Sequence, residues 1–171
     1  MTPKLYIGTY NKYNSGSLRG EWVDMTQFSD TDEFYAYIKK LHKDESDPEY
    51  MAQDFEEMPK DLYSESFDPD TIEKIIEFAN LSEHEQDMVT EYLDNESLEK
   101  DETMQDIIDR CVFQADDSLM NIETQYAYDY EEQGCIEIPE HLQNYFDYET
   151  YGKDITQDMI VTDNFIFDRN L

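Results

Sequence analysis

Residues 139–154 read PEHLQNYFDYETYGKD. Four aromatics, Tyr145, Phe146, Tyr148 and Tyr151, alternate there with Asp147, Glu149 and Asp154, and one glycine, Gly152, interrupts them. An acidic tail that stays disordered lacks the apolar area needed to offset the entropy of ordering a chain, and such tails are poor in aromatics. Here the aromatics can pin the backbone while the carboxylates face water, so the stretch predicts an ordered acidic surface with Tyr145 and Tyr151 as packing residues. A tyrosine-rich core edge with a solvated acidic face would look the same locally, so the rest of the chain has to decide.

Across 171 residues, 43 Asp and Glu stand against 12 Lys and Arg, a formal net charge of -31. Such a charge disfavours a compact state through self-repulsion and argues against direct nucleic-acid binding. Yet 14% of the residues are aromatic, which is packing material for a folded protein. The length allows one domain or a few small ones. Cys111 and Cys135 do not make a disulfide framework, and no apolar run approaches a signal peptide or membrane span. The expectation is a reduced, cytoplasmic protein with no membrane partner.

Outward from the quoted stretch, short elements follow one another. Lys4–Tyr10 predicts a strand, Asn11–Gly16 a turn cluster and Leu18–Asp24 the returning strand, with Gly20 permitting a bulge or close approach. Ser29 or Asp30 caps a helix whose apolar face is Phe34, Tyr37, Ile38 and Leu41, ending near His42, and Tyr50–Glu56 predicts a third strand. Asp68 before Pro69 caps a helix with Ile72, Ile75, Ile76 and Ala79 on one face. Ser82 with Glu85 forms a capping box for a second helix with Met88, Val89, Tyr92 and Leu93, completing a helical hairpin. Thr103–Arg110 continues as helix, and Cys111–Phe113 suits a strand. Asp116-Asp117-Ser118 can cap a helix through Glu132, with Leu119, Ile122, Tyr126 and Tyr130 on one face and Gly134 ending it. A short helical turn follows Pro139, and Met159–Thr162 with Phe165–Asp168 reads as a terminal hairpin.

Catalytic and metal motifs are absent from this pattern. His42, His84 and His141 lie far apart without ligand spacing, and each reads as a surface residue. No phosphate-cradling glycine loop, nucleophile elbow or EF-hand loop occurs. No cofactor and no metal is expected. Carboxylates are so abundant that an acid-base pair could not be told from background, so an enzyme acting on a cationic substrate stays open as an alternative.

A second string, YIGTYNKYNSGSLRGEW at residues 6–22, carries Lys12-Tyr13-Asn14, Gly16, Leu18, Gly20 and Trp22, and Gln53-Asp54-Phe55-Glu56 supplies an acidic-aromatic run further on. With these two, the chain resembles the ArdA antirestriction proteins, which are carried by mobile elements and inhibit type I restriction-modification enzymes by imitating DNA. Leu142, Gln143, Asn144, Tyr145, Asp147, Tyr148, Tyr151 and Gly152 fall in the string that resembles their antirestriction motif, with Lys153 where many members have arginine. The resemblance spans nearly the whole chain, although residues 62–102 match mainly in composition and length. It implies an elongated three-domain α+β protein that forms a homodimer through its C-terminal domain. The domains would be an N-terminal sheet with a helix (1–61), a small helical domain (62–102) and a C-terminal α+β domain (103–171). Its partner would be the specificity and methyltransferase subunits of a type I enzyme.

Charge density agrees with an elongated form. B-DNA carries about one charge per 1.7 Å of axis, so 31 net charges could replace roughly 53 Å of duplex. A globule of this length would be only about 40 Å across. Acidity rises along the chain: residues 1–60 hold 12 acids and 7 bases, 61–100 hold 13 and 2, and 101–171 hold 18 and 3. By position in or beside the motif, the carboxylates expected to stand in for phosphates are Asp147, Glu149 and Asp154, then Asp129, Glu131, Glu132, Glu137 and Glu140. Asp106, Asp109, Asp116 and Asp117 form a second cluster, which the same position also suits to a dimer contact. An acidic binding module for some other basic DNA-binding protein is the rival reading.

Overall fold

Alternating burial along β1 (Lys4–Thr9) puts Leu5 and Ile7 into a core, and in the computed structural model, which describes residues 1–171, this strand is the centre of a sheet. The turn cluster after it is a short helix, α1 (Tyr10–Asn14), because the Thr9 hydroxyl accepts from the Lys12 N–H at 3.3 Å and so caps it. Gly16, at φ +79°, then reverses the chain. Pairing resumes only at β2 (Glu21–Asp24), later than expected. A Cβ on Gly20 would lie 2.5 Å from the Ile7 carbonyl oxygen, so close approach rather than pairing occupies that position.

The remaining elements follow the capping signals closely. Asp30 accepts from the Glu33 N–H at 2.9 Å and Glu33 answers by accepting from Ser29 N–H at 2.9 Å, opening α2 (Thr31–Leu41) with Phe34 and Ile38 buried. Antiparallel β3 (Tyr50–Glu56) completes the sheet in the order β2-β1-β3, with a bulge opposite Tyr6 and Ile7. Asp68 caps α3 (Pro69–Ala79), and the Ser82–Glu85 capping box opens α4 (Glu83–Leu93). All eight residues expected on their apolar faces are buried, and each Ile, Leu, Val or Met among them contributes about 1.5–3 kcal/mol. Gln86, also buried, donates to the Phe78 carbonyl at 3.1 Å and closes the helical hairpin.

After α5 (Met104–Asp109) and β4 (Cys111–Gln114) come α6 (Ile122–Glu132), α7 (Tyr148–Ile155), β5 (Met159–Val161) and β6 (Phe165–Asp168). The second sheet is antiparallel in the order β4-β6-β5. The protein is thus mixed α+β, with seven α-helices and two three-stranded sheets. It divides into two compact units, Met1–Thr90 with Ser97–Met104, and Glu91–Glu96 with Gln105–Leu171. In the second, Ile122, Tyr126 and Ile166 form a buried cluster, and Ile160, Phe165 and Phe167 are also buried. No helix is long and apolar enough to cross a membrane.

Three side chains depart from expectation. The helix expected from Asp116 begins six residues later, and Leu119 is fully exposed. Asn121 takes the cap, accepting from Thr124 N–H at 2.8 Å, while buried Gln125 accepts from Asp116 N–H and donates to the Met120 carbonyl, folding the preceding loop back on itself. Tyr145 is 85% exposed rather than a packing residue. His42 is buried rather than on the surface, whereas His84 and His141 are exposed.

The His42 site has a testable consequence. Lys12 Nζ lies 3.0 Å from His42 Nδ1, 3.0 Å from Asp44 and 3.1 Å from Glu45. The ligand atoms of His42, Asp44 and Glu45 are within 4.8 Å of one another, and the Lys12 ammonium occupies the position a metal cation would take among them. Burial lowers the Lys12 pKa, but its bonds to Asp44 and Glu45 outweigh this and hold it above its usual value. Burial first, and then the Lys12 charge, push the His42 imidazole below its usual range. A histidine depressed in the folded state takes up its proton more readily when unfolded, so its contribution is complete above the unfolded pKa of about 6.5 and is lost as pH falls below that. The unfolding temperature should therefore fall between pH 7.5 and 5.5 by more in the parent than in His42→Gln. Equal pH dependence in the two proteins would contradict this.

Candidate acidic interface of the C-terminal unit

The quoted stretch is built onto α6 by its aromatics. A 3-10 turn at Gln143–Tyr145 leads to Asp147, whose carboxylate accepts from the Thr150 N–H at 3.0 Å and from its hydroxyl at 2.8 Å, capping α7. Those two bonds hold the Asp147 carboxyl below the usual range. Tyr148 stacks on Tyr128 of α6 with ring centroids 3.8 Å apart, and its hydroxyl donates to Glu131. That bond, with burial, pushes the Tyr148 hydroxyl up to about 12. Phe146 packs edge-on against Tyr148 at 4.8 Å and Tyr151 at 5.2 Å. Gly152 is buried where α7 crosses α6: a Cβ there would lie 2.2 Å from the Glu123 carbonyl oxygen.

The expected carboxylates differ in exposure and in internal partners. All are exposed except Asp129 and Glu131, which are half-buried. Asp129 accepts from Gln133 at 2.6 Å, Asp109 from Gln105 at 2.7 Å and Asp116 from the Ser118 N–H at 2.8 Å. Glu149 pairs with Lys153 one turn on, at 2.7 Å, which partly neutralises it. Asp106 is exposed on α5. Asp117, Glu132, Glu137, Glu140 and Asp154 are exposed without an internal hydrogen bond or ion pair, and so are free to meet an external cation.

Sequence reasoning missed Glu91, whose charge is turned inward within this unit. Its carboxylate accepts from the Asn164 N–H at 3.0 Å, the Asn164 amide and the Thr162 hydroxyl, fastening the β5–β6 hairpin. Its partners are more than 70 residues away in sequence, so no local spacing points to them. Asp147 was expected as a surface charge, and its second role as a cap was legible in the Asp147–Thr150 spacing.

No curated protein matches the chain. The family model described as Antirestriction protein (ArdA) matches residues 5–167, nearly the full length. That match takes in both resembling strings, the α6–α7 frame and all but the first and last residues of the two sheets, and the chain belongs to the ArdA antirestriction family.

Proposed function

We propose that this protein inhibits type I restriction-modification enzymes by occupying their DNA-binding groove, with surface carboxylates in place of phosphates. The observation that carries the reading is the run of exposed, unpartnered carboxylates held on a folded aromatic frame, in a chain of the antirestriction family. Carboxylates on such a frame would engage the Lys and Arg that the enzyme keeps for DNA, and release of small ions from both surfaces would make affinity fall with salt. Competitive occlusion needs no turnover, so the protein acts as an inhibitor and not as an enzyme. The partner surfaces are the specificity and methyltransferase subunits, and the inhibitor works in the cytoplasm, where the enzyme meets foreign DNA. A homodimer of chains whose three small domains (1–61, 62–102 and 103–171) run end to end would reach two separated half-sites.

The decisive experiment is displacement of duplex DNA from a type I methyltransferase, with a restriction assay run without added metal beyond what the enzyme needs. Displacement that weakens as salt rises is expected. Simultaneous binding of DNA and this protein without mutual weakening would rule occlusion out, and displacement of DNA only from unrelated DNA-binding proteins would favour the general acidic module. Shape is checked separately by small-angle scattering. An end-to-end monomer should exceed the roughly 15–16 Å radius of gyration of a globule this long, and a compact spherical profile would contradict the elongated form.

A further inference from the structure

We propose that Tyr145 is a contact residue of the inhibitory surface and that its ring receives the face of an arginine guanidinium from the partner's basic groove. This rests on the occlusion reading above and adds an uncharged contact to it. Of the four aromatics in the quoted stretch, Phe146, Tyr148 and Tyr151 pack within the unit, whereas Tyr145 is 85% exposed and its ring meets no other ring. The backbone beneath it is nevertheless fixed. Leu142 N–H donates to the Pro139 carbonyl at 2.8 Å, Tyr145 N–H to Leu142 at 2.9 Å and Phe146 N–H to Gln143 at 3.2 Å, with Phe146 anchoring the turn. A large ring with two side-chain torsions on a rigid turn loses little entropy when it is covered, which is why tyrosine is favoured at binding surfaces.

Charge decides what covers it. Glu140, Asp147 and Glu149 flank the ring in sequence, and the nearby base Lys153 is held by Glu149. An apolar or anionic partner would leave those carboxylates desolvated or repelled, whereas a guanidinium satisfies both the ring face and the acids. Arginine is preferred to lysine because its plane stacks on a ring while its edge still donates to carboxylates. The chain holds an arginine against a tyrosine internally: the Arg110 guanidinium carbon lies 5.9 Å from the Tyr92 ring centroid, with its Nη1 donating to the Tyr92 hydroxyl at 2.9 Å.

The test measures displacement of duplex DNA from a type I methyltransferase by the parent, Tyr145→Phe, Tyr145→Leu and Tyr145→Ala, with thermal unfolding and salt dependence for each. Tyr145→Ala and Tyr145→Leu should weaken displacement about 3- to 30-fold, Tyr145→Phe should stay within about twofold, and unfolding temperature and salt slope should not change. Alanine within about twofold of the parent would overturn the contact, and leucine equal to the parent would overturn the guanidinium. Affinity lost only together with unfolding temperature would make Tyr145 structural. If the parent itself fails to displace DNA, the occlusion reading falls and takes this inference with it; if the parent displaces and alanine does too, only this inference falls.

Discussion

Replacing Gly152 by alanine should destabilise the C-terminal unit by about 2 kcal/mol or more, although alanine is the better helix former by about 1 kcal/mol. The two effects oppose each other, and geometry decides between them. The new methyl would sit 2.2 Å from the Glu123 carbonyl oxygen and 2.6 Å from its carbon, which are main-chain atoms of α6 and cannot rotate aside. The helices must separate, and the Tyr128–Tyr148 stack, the Tyr148–Glu131 bond and the Phe146 packing all depend on their spacing. For a domain of this size the loss corresponds to a fall in unfolding temperature of roughly 8–16 °C. Gly134 is the control: at φ +77° with open space around it, its alanine variant bears only the backbone penalty of about 1–2 kcal/mol. A Gly152→Ala protein at least as stable as the parent would mean that α6 and α7 do not cross at this distance.

Changing Asp117, Glu132, Glu137, Glu140 and Asp154 together to their amides should weaken inhibition by about two orders of magnitude, while any one change alone costs at most about fivefold. An exposed ion pair contributes about 0–1 kcal/mol, so a surface that binds by many such pairs degrades gradually. None of the five carboxylates is committed within the chain, so helix content should hold, and removing five charges from a net of -31 relieves self-repulsion. Asp147 behaves differently because it caps α7: Asp147→Asn keeps the cap, and Asp147→Ala costs about 1 kcal/mol of stability. Inhibition titrations paired with thermal unfolding would separate these effects. A single exposed carboxylate whose amide abolishes activity in a folded protein would contradict distributed charge and favour the enzyme alternative, because a lost catalytic group is not replaced by neighbouring acids.

Local interactions were legible in the residues themselves. The caps at Asp30, Asp68 and Ser82 are bonds across three residues, and the apolar faces of α2, α3 and α4 are set by helical periodicity, so both can be read without knowing what lies opposite. The Tyr50–Glu56 strand and the terminal hairpin were readable for the same reason, whereas the antirestriction string was identified by its resemblance to the family. Burial of particular side chains was decided by partners far along the chain. His42 is drawn under Lys12, 30 residues away, Glu91 is spent on Asn164, 73 residues away, and Gly152 is required by the backbone at Glu123. Tyr145 and Leu119 fit the apolar pattern as well as their buried neighbours do, and only the path of the turn at Gln143–Tyr145 and the loop fastened by Gln125 turn them to solvent. Periodicity specifies which residues share a face of an element, while the tertiary contacts decide which of those faces another element covers.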